Sequence, residues 1–212
     1  MKAQSFTFNP FQENTYIIYD KTKDCIIVDP GCHTKKEQER LKDFILKYSL
    51  NPVKLINTHC HIDHILGNKF VSEQWNIELH MHKEDVPLLE NAKSISTLYG
   101  LEDYQDSPLP KHFLDDGDTL TFGDSYFEIL FTPGHAPGHI CLYNKENNLL
   151  ISGDVIFQSS IGRTDLPGGD YDTLIKSIRT KIFPLSKETQ ILCGHGPTTN
   201  LGYEKENNPF LI

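Results

Sequence analysis

Short apolar runs separated by Gly, Pro and Asn breaks dominate the chain. "SFTFNPF" (5–11) alternates apolar and polar positions, "NTYIIYD" (14–20) is β-branched and aromatic, and "CIIVDPG" (25–31) ends on a turn signal. These runs predict three strands, expected to pair antiparallel. The period then changes. In "TKKEQERLKDFILKYSL" (34–50) Leu41, Phe44, Ile45 and Tyr48 recur at three- and four-residue spacings, which predicts an amphipathic helix with Thr34 as N-cap. "VKLINT" (53–58) reads as a strand. "HILGNKFVSEQW" (64–75) reads as a helix with Asp63 placed to cap it, and "IELHMH" (77–82) as a short strand. "KEDVPLLENAKSIS" (83–96) is helical or irregular, and 99–112 reads as a loop.

The second half repeats this order. "TLTFG", "YFEILFTPG", "HICLYNKENN" and "LLISGDVIF" predict strands, "YDTLIKSIRTKIFPL" a helix, and "TQILCGHGP" a strand ending in a glycine-rich turn. Two sheets flanked by helices fit this order, so the fold class is α/β. No linker-like stretch divides the halves, and one domain spanning 1–212 is expected.

The net charge of −9 disfavours a surface for sequence-independent nucleic-acid binding, which needs Lys and Arg against phosphates. No apolar run approaches the ~20 residues of a membrane span. The opening "MKAQSFTFNPF" lacks the apolar core of a signal peptide. A cytoplasmic protein without membrane or nucleic-acid partners is expected. Its five cysteines (25, 32, 60, 141, 193) form no close C-x-x-C pairs and read as free thiols.

Directly after an apolar strand, "THCHIDH" places His59, His61, Asp63 and His64 within six positions. His59 and His61, two apart in an extended turn, project the same way. Asp63 and His64 follow where the chain turns over. Two same-facing donors plus two adjacent ones can serve two neighbouring cations, and imidazole with carboxylate suits Zn, Fe and Mn. Further candidates follow other apolar runs beside glycine: His135 and His139 in "TPGHAPGH", Asp154 in "SGD" and His195 in "GHG". Cys60, between two donors, should point away. Cys60 and Cys193 both read as packed thiols.

"THCHIDH", "TPGHAPGH", "SGD" and "GHG", in that order over 58–196, resemble the metal motifs of the metallo-β-lactamase superfamily, in its glyoxalase II-like branch. The resemblance implies a four-layer αβ/βα sandwich. It also implies two divalent metal ions, zinc first, with iron or manganese as alternatives. By that resemblance His59, His61 and His135 hold one metal, Asp63, His64 and His195 the other, and Asp154 bridges them. Asp63 and Asp154 are then the catalytic carboxylates, and His139 is not a ligand but a residue orienting the turn.

Paired cations about 3.5 Å apart hold a hydroxide that is nucleophilic at neutral pH and polarise a carbonyl. A thiolate, with a conjugate acid near pKa ~8.5, leaves without a general acid. A thioester therefore suits a site made only of metal ligands. "GRTDLPGGD" (162–170) and the tail "GHGPTTNLGYEKENNPFL" (194–211) resemble the short glyoxalase II-like hydrolases of bacteria. The implied reaction is hydrolysis of S-2-hydroxyacylglutathione, such as S-lactoylglutathione, by a metal-bound hydroxide.

Within the loop, Arg163 and Asp165 are expected to pair as a brace. In the tail, Glu204, Asn207 and Asn208 are expected as structural hydrogen bonders, with Pro209, Phe210 and Leu211 packing the end down. Only 17 residues follow His195 (212 − 195), so the helical glutathione-binding domain of larger glyoxalase II enzymes is not expected. Acyl-thiol contacts then fall to 82–112, the 158–172 loop or a partner subunit, with Lys83, Lys93, Lys111 and Arg163 as candidates. The alternatives are an iron-dependent persulfide dioxygenase, which shares "GRTD", and a hydrolase of a lactone, β-lactam or phosphodiester. A closed four-ligand structural zinc site fits poorly, because seven candidate ligands are too many for one such site.

Overall fold

A computed structural model describes residues 1–101 and 103–212; Glu102, within the expected 99–112 loop, lies outside the described residues. The chain forms two compact units, Met1–Phe113 with Thr121–Ser125, and Leu114–Leu120 with Tyr126–Ile212. Among the described residues no helix is long and apolar enough to cross a membrane.

The first unit is built on a six-stranded sheet in sequential order: β1 (Lys2–Phe8), β2 (Glu13–Tyr19), β3 (Asp24–Val28), β4 (Asn51–Ile56), β5 (Leu79–Met81) and β6 (His112–Phe113). The first three pair antiparallel, as expected, and the remaining neighbours are parallel. Helix α1 (Lys35–Tyr48) starts at a capping box: Thr34 accepts from the Glu37 amide while the Glu37 carboxylate accepts from Thr34 N. Its Leu41 and Ile45 enter a core with Ile17, Ile27, Leu55 and Leu79.

The expected helix over 64–75 is two pieces, α2 (Ile62–Ile65) and α3 (Asn68–Trp75). The break has a cause: Gly67 N donates to Pro30 O at 2.6 Å, and Asp63 O accepts from Asn9 Nδ2 at 2.9 Å. Asp63 is therefore no cap. It lies in the first turn of α2, whose N-cap is His61. A 3-10 turn at Lys83–Asp85 leads into α4 (Val86–Leu98).

The second sheet runs β14 (Thr199–Asn200), β13 (Gln190–Cys193), β10 (Leu149–Gly153), β9 (Ile140–Asn144), β8 (Ser125–Phe131), β7 (Thr119–Phe122). The expected strand "LLISGDVIF" ends at Gly153, which adopts φ +47 where the β10–β13 register shifts. Beyond it a separate hairpin forms from β11 (Ile156–Phe157) and β12 (Ser160–Ile161). Helix α5 (Tyr171–Ser177) continues as a π-helical turn over Ile178–Ile182; its Leu174, with Ile178 and Ile182, packs against Leu150, Ile191 and Leu201. The tail forms α6 (Leu201–Asn207), an element the apolar pattern does not show. Leu211 is buried, whereas Pro209 and Phe210 are exposed, so only Leu211 packs the terminus as expected.

Candidate metal centre

In the first unit, β4 delivers the chain to the turn that carries His59, His61, Asp63 and His64. The rings gather there: His59 lies 4.8 Å from His61 and 4.1 Å from His64 between centroids. Asp29, just past β3, is their hub. Its carboxylate accepts from Thr58 N at 2.7 Å and Thr58 Oγ1 at 2.5 Å, and lies 3.2 Å from His64 Nδ1. With the Thr58 hydroxyl donating to Asp29, its oxygen accepts from His59 Nδ1 at 3.1 Å. These partners assign the ring proton to Nδ1 in both histidines and the lone pair to Nε2, the arrangement of a metal-ligating imidazole held from behind. Asp29, His59 and His64 each bring one donor atom within 4.8 Å of the others. His64 Nε2 stands 3.6 Å from Asp63 Oδ2.

The backbone of this turn is also fixed. Asp85 accepts from Cys60 N at 2.7 Å, and the buried pair Asn57–Asn68 ties the turn to α3, with Asn57 Nδ2 donating to His64 O at 3.2 Å. Beneath it lies Glu13, fully buried, whose Oε2 accepts from Thr15 Oγ1 at 2.9 Å. Burial pushes the Glu13 carboxyl well above its usual range. Asp29, Thr58, Asp85 and Glu13 were not singled out from sequence. Only "VDPG", an acid directly after an apolar strand, carried a signal.

In the second unit, His135 follows β8, Asp154 follows β10 and His195 follows β13. Asp154 Oδ2 is 3.5 Å from His135 Nε2 and 3.5 Å from His195 Nε2. His135 Nδ1 donates to Arg163 O at 2.7 Å; a carbonyl only accepts, so the lone pair is again on Nε2. The loop reaches that position because residue 162 is glycine: a Cβ there would overlap the Asp154 carbonyl oxygen and stand 3.0 Å from His135 Nδ1. His139 is buried with both ring nitrogens engaged, Nδ1 beside Thr132 Oγ1 at 3.1 Å and Nε2 accepting from Asp154 N at 3.1 Å. It anchors the Asp154 backbone. Arg163 and Asp165 pair in a fork at 2.7 and 2.8 Å, and that hydrogen-bonded guanidinium pulls the Asp165 carboxyl down to about 2.

The donor chemistry fits a divalent metal. Imidazole nitrogen and carboxylate oxygen suit Zn, Fe and Mn. Two ligands at ~2.0–2.1 Å on a tetrahedral ion stand about 3.3–3.4 Å apart, close to the 3.5 Å donor separations around Asp154. The nearby thiols do not compete. Burial pushes Cys60 well above its usual range and Cys193 up to about 12, far from the thiolate a metal needs.

The sequence profile of the metallo-beta-lactamase superfamily matches residues 8–195. Hydroxyacylglutathione hydrolase GloC of Haemophilus influenzae is 39% identical over 213 residues, covering 100% of this chain and 98% of that protein. Among solved structures, BLEG-1 B3 metallo-beta-lactamase superposes with a TM-score of 0.91 at 36% identity, covering 100% of both chains. TTHA1623 in a di-iron-bound form superposes with a TM-score of 0.88 at 35% identity, covering 98% of this chain and 100% of that one. With this profile match and full-length likeness, the chain belongs to the metallo-β-lactamase superfamily and has its α/β fold.

Proposed function

We propose that the two donor sets serve one site, and that the protein is a metal-dependent hydrolase of acyl thioesters whose substrate class is S-2-hydroxyacylglutathione, such as S-lactoylglutathione. The observation that carries the metal reading is the pinning of Nδ1 in His59, His64 and His135, which turns three Nε2 lone pairs to ligand duty. His59, His61 and His135 are assigned to one divalent cation, Asp63, His64 and His195 to a second, and Asp154 to both. Zinc is the first assignment, with iron or manganese as alternatives. When bound, such a pair lowers the pKa of a water and polarises a carbonyl.

The chain's own residues do the rest. Asp154 is held at its amide by His139 and placed equally from His135 and His195. Asp29 keeps His59 and His64 in one tautomer. The Arg163–Asp165 fork braces the loop whose carbonyl orients His135. A thiol leaving group departs without an acid, so no further proton donor is required. The thioester assignment is supported by that chemistry and by likeness to the Haemophilus influenzae hydrolase.

A turnover panel on metal-loaded protein tests this. S-lactoylglutathione is expected to be cleaved fastest, ahead of other acyl thioesters, a lactone, a β-lactam and glutathione persulfide. A second reading, β-lactam hydrolysis, is favoured by likeness to BLEG-1. Faster turnover of the β-lactam would install it instead. Oxygen uptake with the persulfide and no thioester cleavage would mark a dioxygenase.

A further inference from the structure

We infer that Glu204 and Asn208, in and just after the last helix, are positioning residues for the second unit's metal donors, acting through the hairpin at 156–161. The inference rests on the metal reading above but not on the choice of substrate. Both side chains are fully buried. The Glu204 carboxylate accepts from Ser159 N at 2.9 Å, Thr199 Oγ1 at 2.5 Å and Asn208 Nδ2 at 2.8 Å. Asn208 Nδ2 also donates to Ser160 O at 2.9 Å. The two side chains thus grip the amide of residue 159 and the carbonyl of residue 160, at the tip of the hairpin, where Ser159 adopts φ +56.

The hairpin needs such a grip. Its strands are two residues each, paired Ile156 with Ile161 and Phe157 with Ser160, too short to hold themselves. All three donors of the unit lean on it. Asp154 enters it two residues before Ile156. Gly162 N donates to Val155 O at 3.3 Å, and the next residue, Arg163, supplies the carbonyl that fixes His135. The Phe157 ring stands edge-on to His195, 6.1 Å between centroids. A buried carboxylate is costly unless bonded, and an apolar side chain would seat α6 without that cost. What the carboxylate and amide add is direction: fixed bonds to one backbone amide and one carbonyl.

The test is Co(II) titration of the metal-free full chain, read by equilibrium dialysis and by d–d absorption, with thermal melting alongside. Wild-type protein is expected to bind two ions. Glu204→Ala is expected to weaken at least one of them by roughly 10–100-fold, the scale of an outer-shell change, and to shift the d–d band. Glu204→Gln, which keeps an acceptor for Ser159 N, is expected to recover affinity to within a few fold. If Glu204→Ala does not fold, Asn208→Ala carries the test, with about a tenfold loss expected. Wild-type affinity and spectrum in a folded Glu204→Ala or Asn208→Ala protein, however far its melting temperature falls, would overturn the inference and leave only a structural clamp. Wild-type protein that takes up no Co(II) would overturn the metal reading itself, and this inference with it.

Discussion

The donor sets of the two units are built on opposite plans. In the first, His59, His61, Asp63 and His64 occupy one turn after one strand, and a single carboxylate, Asp29, steadies two of the imidazoles. In the second, His135, Asp154 and His195 come from the ends of three different strands, and their supports are His139 and the backbone around one small hairpin. Damage to the compact set should pass through one side chain. In the dispersed set the hairpin carries all three donors, whereas His139 serves Asp154 alone and should matter less. Two predictions bear directly on that difference, and two smaller ones on the stability of each unit.

The largest effect is expected where one residue serves both sides of its own set. Asp154 Oδ2 stands equally near His135 and His195. Asp154→Ala should lower turnover by more than the roughly 10–100-fold of an outer-shell change and reduce bound metal from two ions to one. Steady-state rates with elemental analysis check this; unchanged stoichiometry and rate would remove the bridging role.

Next are the supports. Asp29→Asn should weaken metal binding by about 10–100-fold, because His59, through Thr58, and His64 both depend on it. His139→Asn should cost less, as Asp154 keeps its place in the chain beside the hairpin. Competition against a chelator ranks the pair. Equal losses would erase the distinction between a hub serving two donors and a support serving one.

The third prediction concerns acid stability of the first unit. Burial pushes His80 down to about 4, while its Nδ1 lies 3.0 Å from Glu78 O and its ring stacks on His112. The folded state therefore resists a proton that the unfolded chain accepts near pH ~6.5. Stability present above pH 6.5 should be lost as pH falls towards 4, by at most about 3 kcal/mol. Trp75, the one tryptophan, packs against the first unit's core and reports its unfolding by fluorescence. Urea midpoints at pH 7 and 5 should differ less in His80→Asn than in the wild type. The smallest effect is expected at the exposed Arg163–Asp165 fork, where Asp165→Ala should leave the denaturant midpoint close to that of the wild type.

Legibility in the sequence followed the same division. Four donors within six residues announce themselves by spacing, and the strand before them by its apolar run. His135, Asp154 and His195 were readable only through their shared placement after apolar runs beside glycine. Of their supports, His139 and the Arg163–Asp165 brace were expected; those of the first set were not. Asp29 in "VDPG" looks like a turn residue, and nothing local marks Glu13 as buried. Asp63 looked like a helix cap because the diversion of Gly67 N to Pro30 O is a tertiary event. The 156–161 hairpin looked like the end of a strand because "VIF" continues the apolar run through a bend that Gly153 permits. Glu204 and Asn208 were expected to make structural hydrogen bonds, and they do; their target, a hairpin some 45 residues earlier, is set by the fold alone.

The most direct measurement is anomalous diffraction from crystals of the metal-loaded protein. Two peaks are expected, one among His59, His61 and His135 and one among Asp63, His64 and His195, with Asp154 touching both. A single peak, or peaks away from these side chains, would contradict the proposed two-metal site and the hydrolase built on it.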